Sequence, residues 1–286
     1  MRKSLIGILA VTGLTLAACG GSDSASDTTA AAGGSGNECT TGKTLAEGTL
    51  TIGTGNPAFS PWVENDAPES GEGFEAAVAY AVAAAMGFDN ANVAWVRTSF
   101  DEAVQPGAKN FDFNLQQYSI TEERKKTVSF SDGYYTTNQA IVGLTDSAAK
   151  GATTLADIKK LKLGAQTGTT SLDYITNVIK PDTEPFVYDD NAGAKAALEA
   201  NQIDAAIFDL PTALYVSAVE IEGSAVLGQF PADASASADE FGLVFDLENP
   251  LVGCVNTALA AIKDSGSLAE ITSTWLSSKA EIPVIK

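Results

Sequence analysis

Three short stretches hold residues whose types and placing suit the capture of a small charged solute. In "SITEERKKTVSF" (119–130) stands Arg124, one of three arginines with Arg2 and Arg97 in a chain of 36 acidic and 17 basic residues. A guanidinium offers a flat fork of N–H donors that fits a carboxylate through two parallel hydrogen bonds. In "QTGTTSLDY" (166–174), Gly168 permits a tight turn before the amides of Thr169, Thr170 and Ser171. At a helix start, unpaired N–H groups and the dipole favour negative charge. The turn lacks the glycine pattern and lysine of a phosphate loop. "QIDAAIFDLP" (202–211) closes a strand with Asp209, whose carboxylate can hold an ammonium. Each element also has an ordinary reading: a surface i,i+3 or i,i+4 ion pair worth a few tenths of a kcal/mol, a capped helix start, a strand-end turn. Together they complement a zwitterion, with Arg124 and the turn amides for its carboxylate and Asp209 for its amine.

The elements that must position these residues alternate β-rich runs with helical stretches, the pattern of an α/β fold. Strands are expected at 49–54, 92–97, 111–115, 140–144, 162–166, 204–209 and 242–246. Phe74, Val78, Val82 and Met86 recur at helical spacing, and Gly87 stops that helix. Thr121 is a candidate N-cap for a helix beginning at "TEERKK", and helices are expected over 154–160 and from about Ser171. Ser267-Leu268-Ala269-Glu270 has the form of a capping box, with Leu268, Ile271 and Trp275 as the buried stripe behind it. Two α/β units in one chain imply two lobes, with a ligand in the crevice at the carboxyl ends of the strands.

Charge and cysteines narrow the function. Residues 1–18 read as a signal peptide, with Arg2 and Lys3 ahead of an apolar run too short to span a bilayer. The sequence Leu16-Ala17-Ala18-Cys19 resembles a lipobox, so Cys19 is expected to carry lipid and to anchor the protein outside the cell membrane. Residues 19–38 form a Gly/Ser/Ala/Thr tether. Without Arg2 and Lys3, 15 basic residues face 36 acidic ones, which disfavours nucleic acid and anionic lipid headgroups as partners. Cys39 and Cys254 then remain, either as a disulfide suited to an oxidising compartment or as two free thiols. With no histidine and no close cysteine pair, neither a metal site nor a Ser/Cys–His catalytic pair is expected.

Over residues 46–278 the chain resembles the extracellular solute-binding proteins of bacterial polar amino-acid ABC importers. The resemblance rests on "GTLTIGT", "FSPW", "GEGFEAAVAYAVAAAMG", "SITEERKKTVSFSDGYY", "LADIKKLKLGAQTGTTSLDY", "QIDAAIFDLPTALY" and "GSLAEITSTWL". It implies a type II periplasmic-binding-protein-like fold of two α/β lobes, joined by crossover strands near 138–144 and 238–244 around a central cleft. The lobes would be 39–140 with 242–286, and 141–241, closing on the ligand by a hinge motion. By the same resemblance Arg124 clamps the α-carboxylate with the amide and hydroxyl of Thr170. Ser119, the Gln117 backbone carbonyl and Asp209 hold the α-ammonium. Phe59 packs over the ligand, Trp62 follows in the same loop, and Thr169 and Gln166 line the second lobe's face. No cofactor is implied, the protein is expected to be a monomer, and its partner is an ABC importer permease.

Two departures bear on the substrate. The family often carries an acidic residue where Gly55 stands, and "QQY" (116–118) replaces a small residue before the hydroxyl pair. With Gln116, Gln117 and Gln166 at hand and no further acid, the expected solute is a neutral polar or acidic amino acid. The alternatives are a cyclohexadienyl or arogenate dehydratase on the same fold, which needs a cleft acid, and a ligand-sensing module acting in trans.

Overall fold

The structure, a computed structural model, describes residues 34–231, 239–276 and 281–286. The expected signal peptide, Cys19 and most of the tether lie outside the described residues. The first lobe begins with β1 (Leu50–Gly55), α1 (Phe74–Ala85), β2 (Val93–Thr98), α2 (Phe100–Val104), β3 (Phe113–Asn114) and β4 (Ser129–Phe130). A short strand, β5 (Tyr135–Thr137), leads into the second lobe. There follow β6 (Gln139–Leu144), α3 (Leu155–Ile158), β7 (Leu163–Gln166), α4 (Thr170–Tyr174), β8 (Phe186–Tyr188), α5 (Asn191–Glu199), β9 (Ala205–Asp209), α6 (Leu210–Tyr215) and β10 (Ser224–Gln229). The chain returns through β11 (Asp239–Phe241) to β12 (Val244–Phe245), α7 (Val252–Asp264) and α8 (Ser267–Trp275).

Two five-stranded sheets result, in the orders β2-β1-β3-β12-β4 and β10-β6-β9-β7-β8. In the first, β1 runs parallel to β2 and β3; in the second, β7 runs parallel to β8 and β9. The crossing segments β5 and β11 pair antiparallel, Tyr135 opposite Phe241. This is the expected two-lobe architecture with two crossovers.

Each sheet buries its own core. Phe74, Val78, Val82 and Met86 are at most 1% exposed, so the apolar face of α1 lies wholly inside the first lobe. The helix ends where Gly87 adopts φ 86°, a backbone state a side chain would resist. In the second lobe, Ile141, Leu163, Ala165, Ala205 and Ile207 fill one side of the sheet, while Ala140, Val142, Ala206 and Phe208 fill the other. These alternations follow the two-residue period of a strand covered on both faces.

Three local expectations change. The segment after Thr121 is a single 3-10 turn, Arg124–Lys126, with Thr121 Oγ1 accepting from the Arg124 amide at 3.2 Å. Gly266, at φ 82°, takes the N-cap position of α8, so Ser267 lies inside the helix and forms no capping box. The chain end, expected with the first lobe, lies against the second. Val284 bridges Gln229, and Ile285 is buried beside Ile141 and Phe230. Cys39 and Cys254 form a disulfide that ties the start of the described chain to α7.

Candidate functional site

In both sheets the carboxyl ends of parallel strands face one cleft, and the residues just beyond them line it. β1 leads to Phe59, β2 to Phe100, β3 to Gln116, Gln117 and Ser119, with Arg124 a few residues on. From the second lobe, β7 supplies Gln166, Thr169, Thr170 and Ser171, β8 leads to Asn191, and β9 ends on Asp209. Residues remote in sequence converge because a parallel sheet points all its strand ends one way. The cleft is narrow, leaving about 40 Å³ open to the centre of a water molecule.

Arg124 is half-buried, and both arms of its fork are engaged. Nη1 donates to Ser119 O at 2.7 Å and Nη2 reaches across the cleft to Gly168 O at 2.9 Å. Its guanidinium carbon lies 5.1 Å from the centre of the Phe100 ring. Burial pushes the guanidinium pKa down, opposed by Asp239, Tyr118, Asp173 and Asp209. Opposite stands α4, prolonged by a wider helical turn through Ile179. Thr169 caps it, its hydroxyl oxygen accepting from Leu172 N at 3.2 Å while donating to Gln166 O at 2.7 Å. Thr170 Oγ1 lies 3.2 Å from Ser119 Oγ, so the hydroxyls of the two lobes meet.

Asp209 is held by an arrangement the sequence did not disclose. Gln139 Nε2 donates to Asp209 Oδ1 at 2.9 Å and to Asp239 Oδ2 at 2.6 Å. Ser171 Oγ donates to Gln139 Oε1 at 2.6 Å, fixing the amide the right way round for both carboxylates. Thr170 Oγ1 also donates to Asp239 Oδ2, at 3.1 Å. Burial raises the Asp209 carboxyl well above the usual range and Asp239 raises it further, against the lowering effects of Gln139 and Arg124. Asp239 thus adds a second carboxylate, contributed by a crossover strand.

A third acid, this one buried, holds the cleft residue Gln117. Glu75, on the first turn of α1, accepts from Gln117 N at 2.8 Å, from the Gln117 side-chain amide and from the Tyr134 hydroxyl. Its pKa is raised to about 7 by burial, against the lowering effect of those hydrogen bonds. With its amide and side chain both taken by Glu75, and φ at 50°, Gln117 has its backbone carbonyl left to offer a ligand.

Of the residues singled out in sequence, Phe59, Gln117, Ser119, Arg124, Gln166, Thr169, Thr170 and Asp209 share this cleft. Trp62 does not line it. Its ring is 1% exposed, packed edge-on against Phe74, Tyr135 and Phe241, while Nε1 donates to Thr212 Oγ1 at 2.9 Å. Trp62 directly follows Pro61 in the loop of Phe59, but its packing partners come from three other segments. Sequence reading missed Phe100, Asn191, Asp239 and Glu75. Phe100 and Asn191 carried a usable signal, since each follows an N-cap, Ser99 or Asp190, just beyond a strand's carboxyl end.

Comparison with known proteins bears on the family and the fold. The family model for bacterial extracellular solute-binding proteins, family 3, matches residues 50–278. The arginine-binding periplasmic protein of Mannheimia haemolytica is 30% identical over 228 residues, covering 78% of this chain and 90% of its own length. The ABC transporter glutamine-binding protein GlnH of Bacillus subtilis (strain 168) is 28% identical over 214 residues, covering 73% and 75%. Among solved structures, an ancestral arginine-binding protein bound to glutamine superposes with a TM-score of 0.67 at 30% identity, covering 82% of this chain and all of that one. With its two lobes, twin crossovers and cleft of strand-end residues, the chain belongs to the bacterial extracellular solute-binding proteins of family 3.

Proposed function

We propose that this protein captures a free α-amino acid between its lobes and delivers it to the permease of an ABC importer. The observation that carries the reading is the placing of Arg124 and Asp209, opposite charges on opposite lobes, in one narrow cleft. The α-carboxylate takes over the Arg124 donors now spent on Ser119 O and Gly168 O, with the Thr170 amide beside them. The α-ammonium goes to Asp209, Ser119 and the Gln117 carbonyl. Delivery to a permease accords with relatives named as components of ABC transporters. A dehydratase is not favoured, since the relatives matched are binding proteins.

For the solute's side chain we propose a neutral polar group. Beyond Arg124 and Asp209 the cleft is lined by the amides of Gln116, Gln166 and Asn191 and by Phe59, with no further charge. A Cβ on Gly55 would lie 2.8 Å from Gln116 Nε2, so the amide of Gln116 fills the space an acidic side chain would need there. The acidic part of the original expectation has less support, because the nearby Asp239 disfavours a second negative group. The rival reading, a basic solute, has the arginine-binding relative in its favour. Export and anchoring through Cys19 stand as part of the proposal, since they concern residues outside those described.

Calorimetry against the twenty common amino acids and L-cystine tests both parts. A neutral polar amino acid should bind tightest, and Arg124→Ala should abolish binding while the unliganded protein melts within a few degrees of wild type. Tightest binding of arginine or lysine refutes the side-chain assignment. An empty Arg124→Ala protein that unfolds far more readily returns Arg124 to a structural role.

A further inference from the structure

One cation beside the cleft belongs to the protein. Lys195, on the second turn of α5, places its Nζ 4.5 Å from the centre of the Phe59 ring. Phe59 belongs to the first lobe and lines the cleft; Lys195 belongs to the second. The ammonium is also held by Glu220, which accepts from it through both carboxylate oxygens at 2.9 Å. Lys195 and Glu220 side chains are only 15% and 28% exposed, so this is no loose surface pair. Other ion pairs among the described residues, such as Lys125–Glu122 and Lys150–Asp146, are far more exposed.

The two contacts have different parts. Lys195 and Glu220 both lie in the second lobe, on α5 and on the wide helical turn Val216–Glu220, so their pairing does not depend on how the lobes meet. The ammonium is therefore preorganised before Phe59 arrives. The contact with the ring forms between lobes, where a partly desolvated cation gains from an aromatic face. Asn191, one turn earlier on α5, lines the cleft itself, so the helix that reaches the solute also carries the cation.

We propose that Lys195, positioned by Glu220, is a specificity-determining residue: its ammonium supplies the cation on Phe59 and so selects neutral side chains over basic ones. This deepens the functional reading above and rests on it. A cationic side chain gains little from a ring whose cation site is filled, and it finds Glu220 already paired. A neutral side chain loses nothing, and the lobes still close with the ring covered. Removing the ammonium exposes the ring and leaves Glu220 unpaired beside it, two features a guanidinium can use.

The test is calorimetry and stopped-flow dissociation on wild-type protein, Lys195→Met, Lys195→Arg and Lys195→Met/Glu220→Gln, with L-arginine and the tightest neutral amino acid. In Lys195→Met the preference for the neutral amino acid over arginine should fall at least tenfold, partly through faster release of the neutral one. Lys195→Arg should restore the wild-type preference, and the double variant should lose the gain in arginine binding. A purely structural role would change both affinities together and leave their ratio alone, and that outcome overturns the proposal. So does a wild-type protein that binds arginine tightest. A wild type that binds no amino acid overturns the functional reading and this proposal with it, whereas binding with an unmoved ratio overturns this proposal alone.

Discussion

In the cleft, Asp209 meets Asp239 through the shared amide of Gln139, with buried Glu75 also raising its pKa. Burial and these like charges favour its protonated form. An α-ammonium placed beside it reverses the balance, because an adjacent positive charge lowers a carboxyl pKa. Binding should therefore release a proton, and affinity should rise as pH climbs through the raised pKa of the empty site. Calorimetry in buffers of different ionisation enthalpy measures that release, and Asp209→Asn should remove it along with most of the affinity. Equal proton release in wild type and Asp209→Asn would place the titrating group elsewhere. At this scale much was legible: Arg124, Asp209 and the Thr169–Ser171 turn stand out by residue type at element ends. Asp239 was not legible. Its role comes from Gln139, 100 residues away in sequence, which bridges it to Asp209.

Among the elements, α1 carries a buried acid on a helix whose other inward positions are apolar. Glu75 orders the β3–β4 connection by accepting from Gln117 and Tyr134, and so sets the backbone on which Ser119 follows. Its folded-state pKa of about 7 stands above its ordinary value of 4.5. A carboxyl raised in this way stabilises the fold through its neutral form. Its contribution is complete below about pH 4.5, declines as pH rises, and is gone above about 7. Linkage puts the change at roughly 3 kcal/mol. Glu75→Gln should flatten the dependence of unfolding free energy on pH between 5 and 8, read by denaturant melts; parallel curves would rule this out. All seven strands expected from sequence are present to within a few residues, because their apolar runs are buried or, in β2, half-buried. The short strands β4 and β5 went unseen, as did β8 and β10. These last two are edge strands, and β8, with Phe186 and Val187 exposed, lacks the alternation that marks a half-buried strand.

For the whole molecule, the Cys39–Cys254 disulfide closes a loop spanning 215 residues. In the chain-entropy model, losing so long a loop costs roughly 4–5 kcal/mol at most. Cys39→Ser/Cys254→Ser should lower the unfolding free energy by several kcal/mol while leaving amino-acid affinity within about twofold, since neither cysteine lines the cleft. A large loss of affinity would show that the bridge also sets the geometry of the lobes. The sequence by itself determined the strand and helix periods, the two-unit order and the candidates for holding each end of a zwitterion. Those follow from local chemistry: burial patterns, turn glycines, and charge types at element ends. Only the tertiary structure decided that Trp62 leaves the cleft for the core, that Asp239 joins Asp209, and that Lys195 covers Phe59. Each of those depends on which distant segments meet, and local sequence does not encode the packing of two sheets across a crossover.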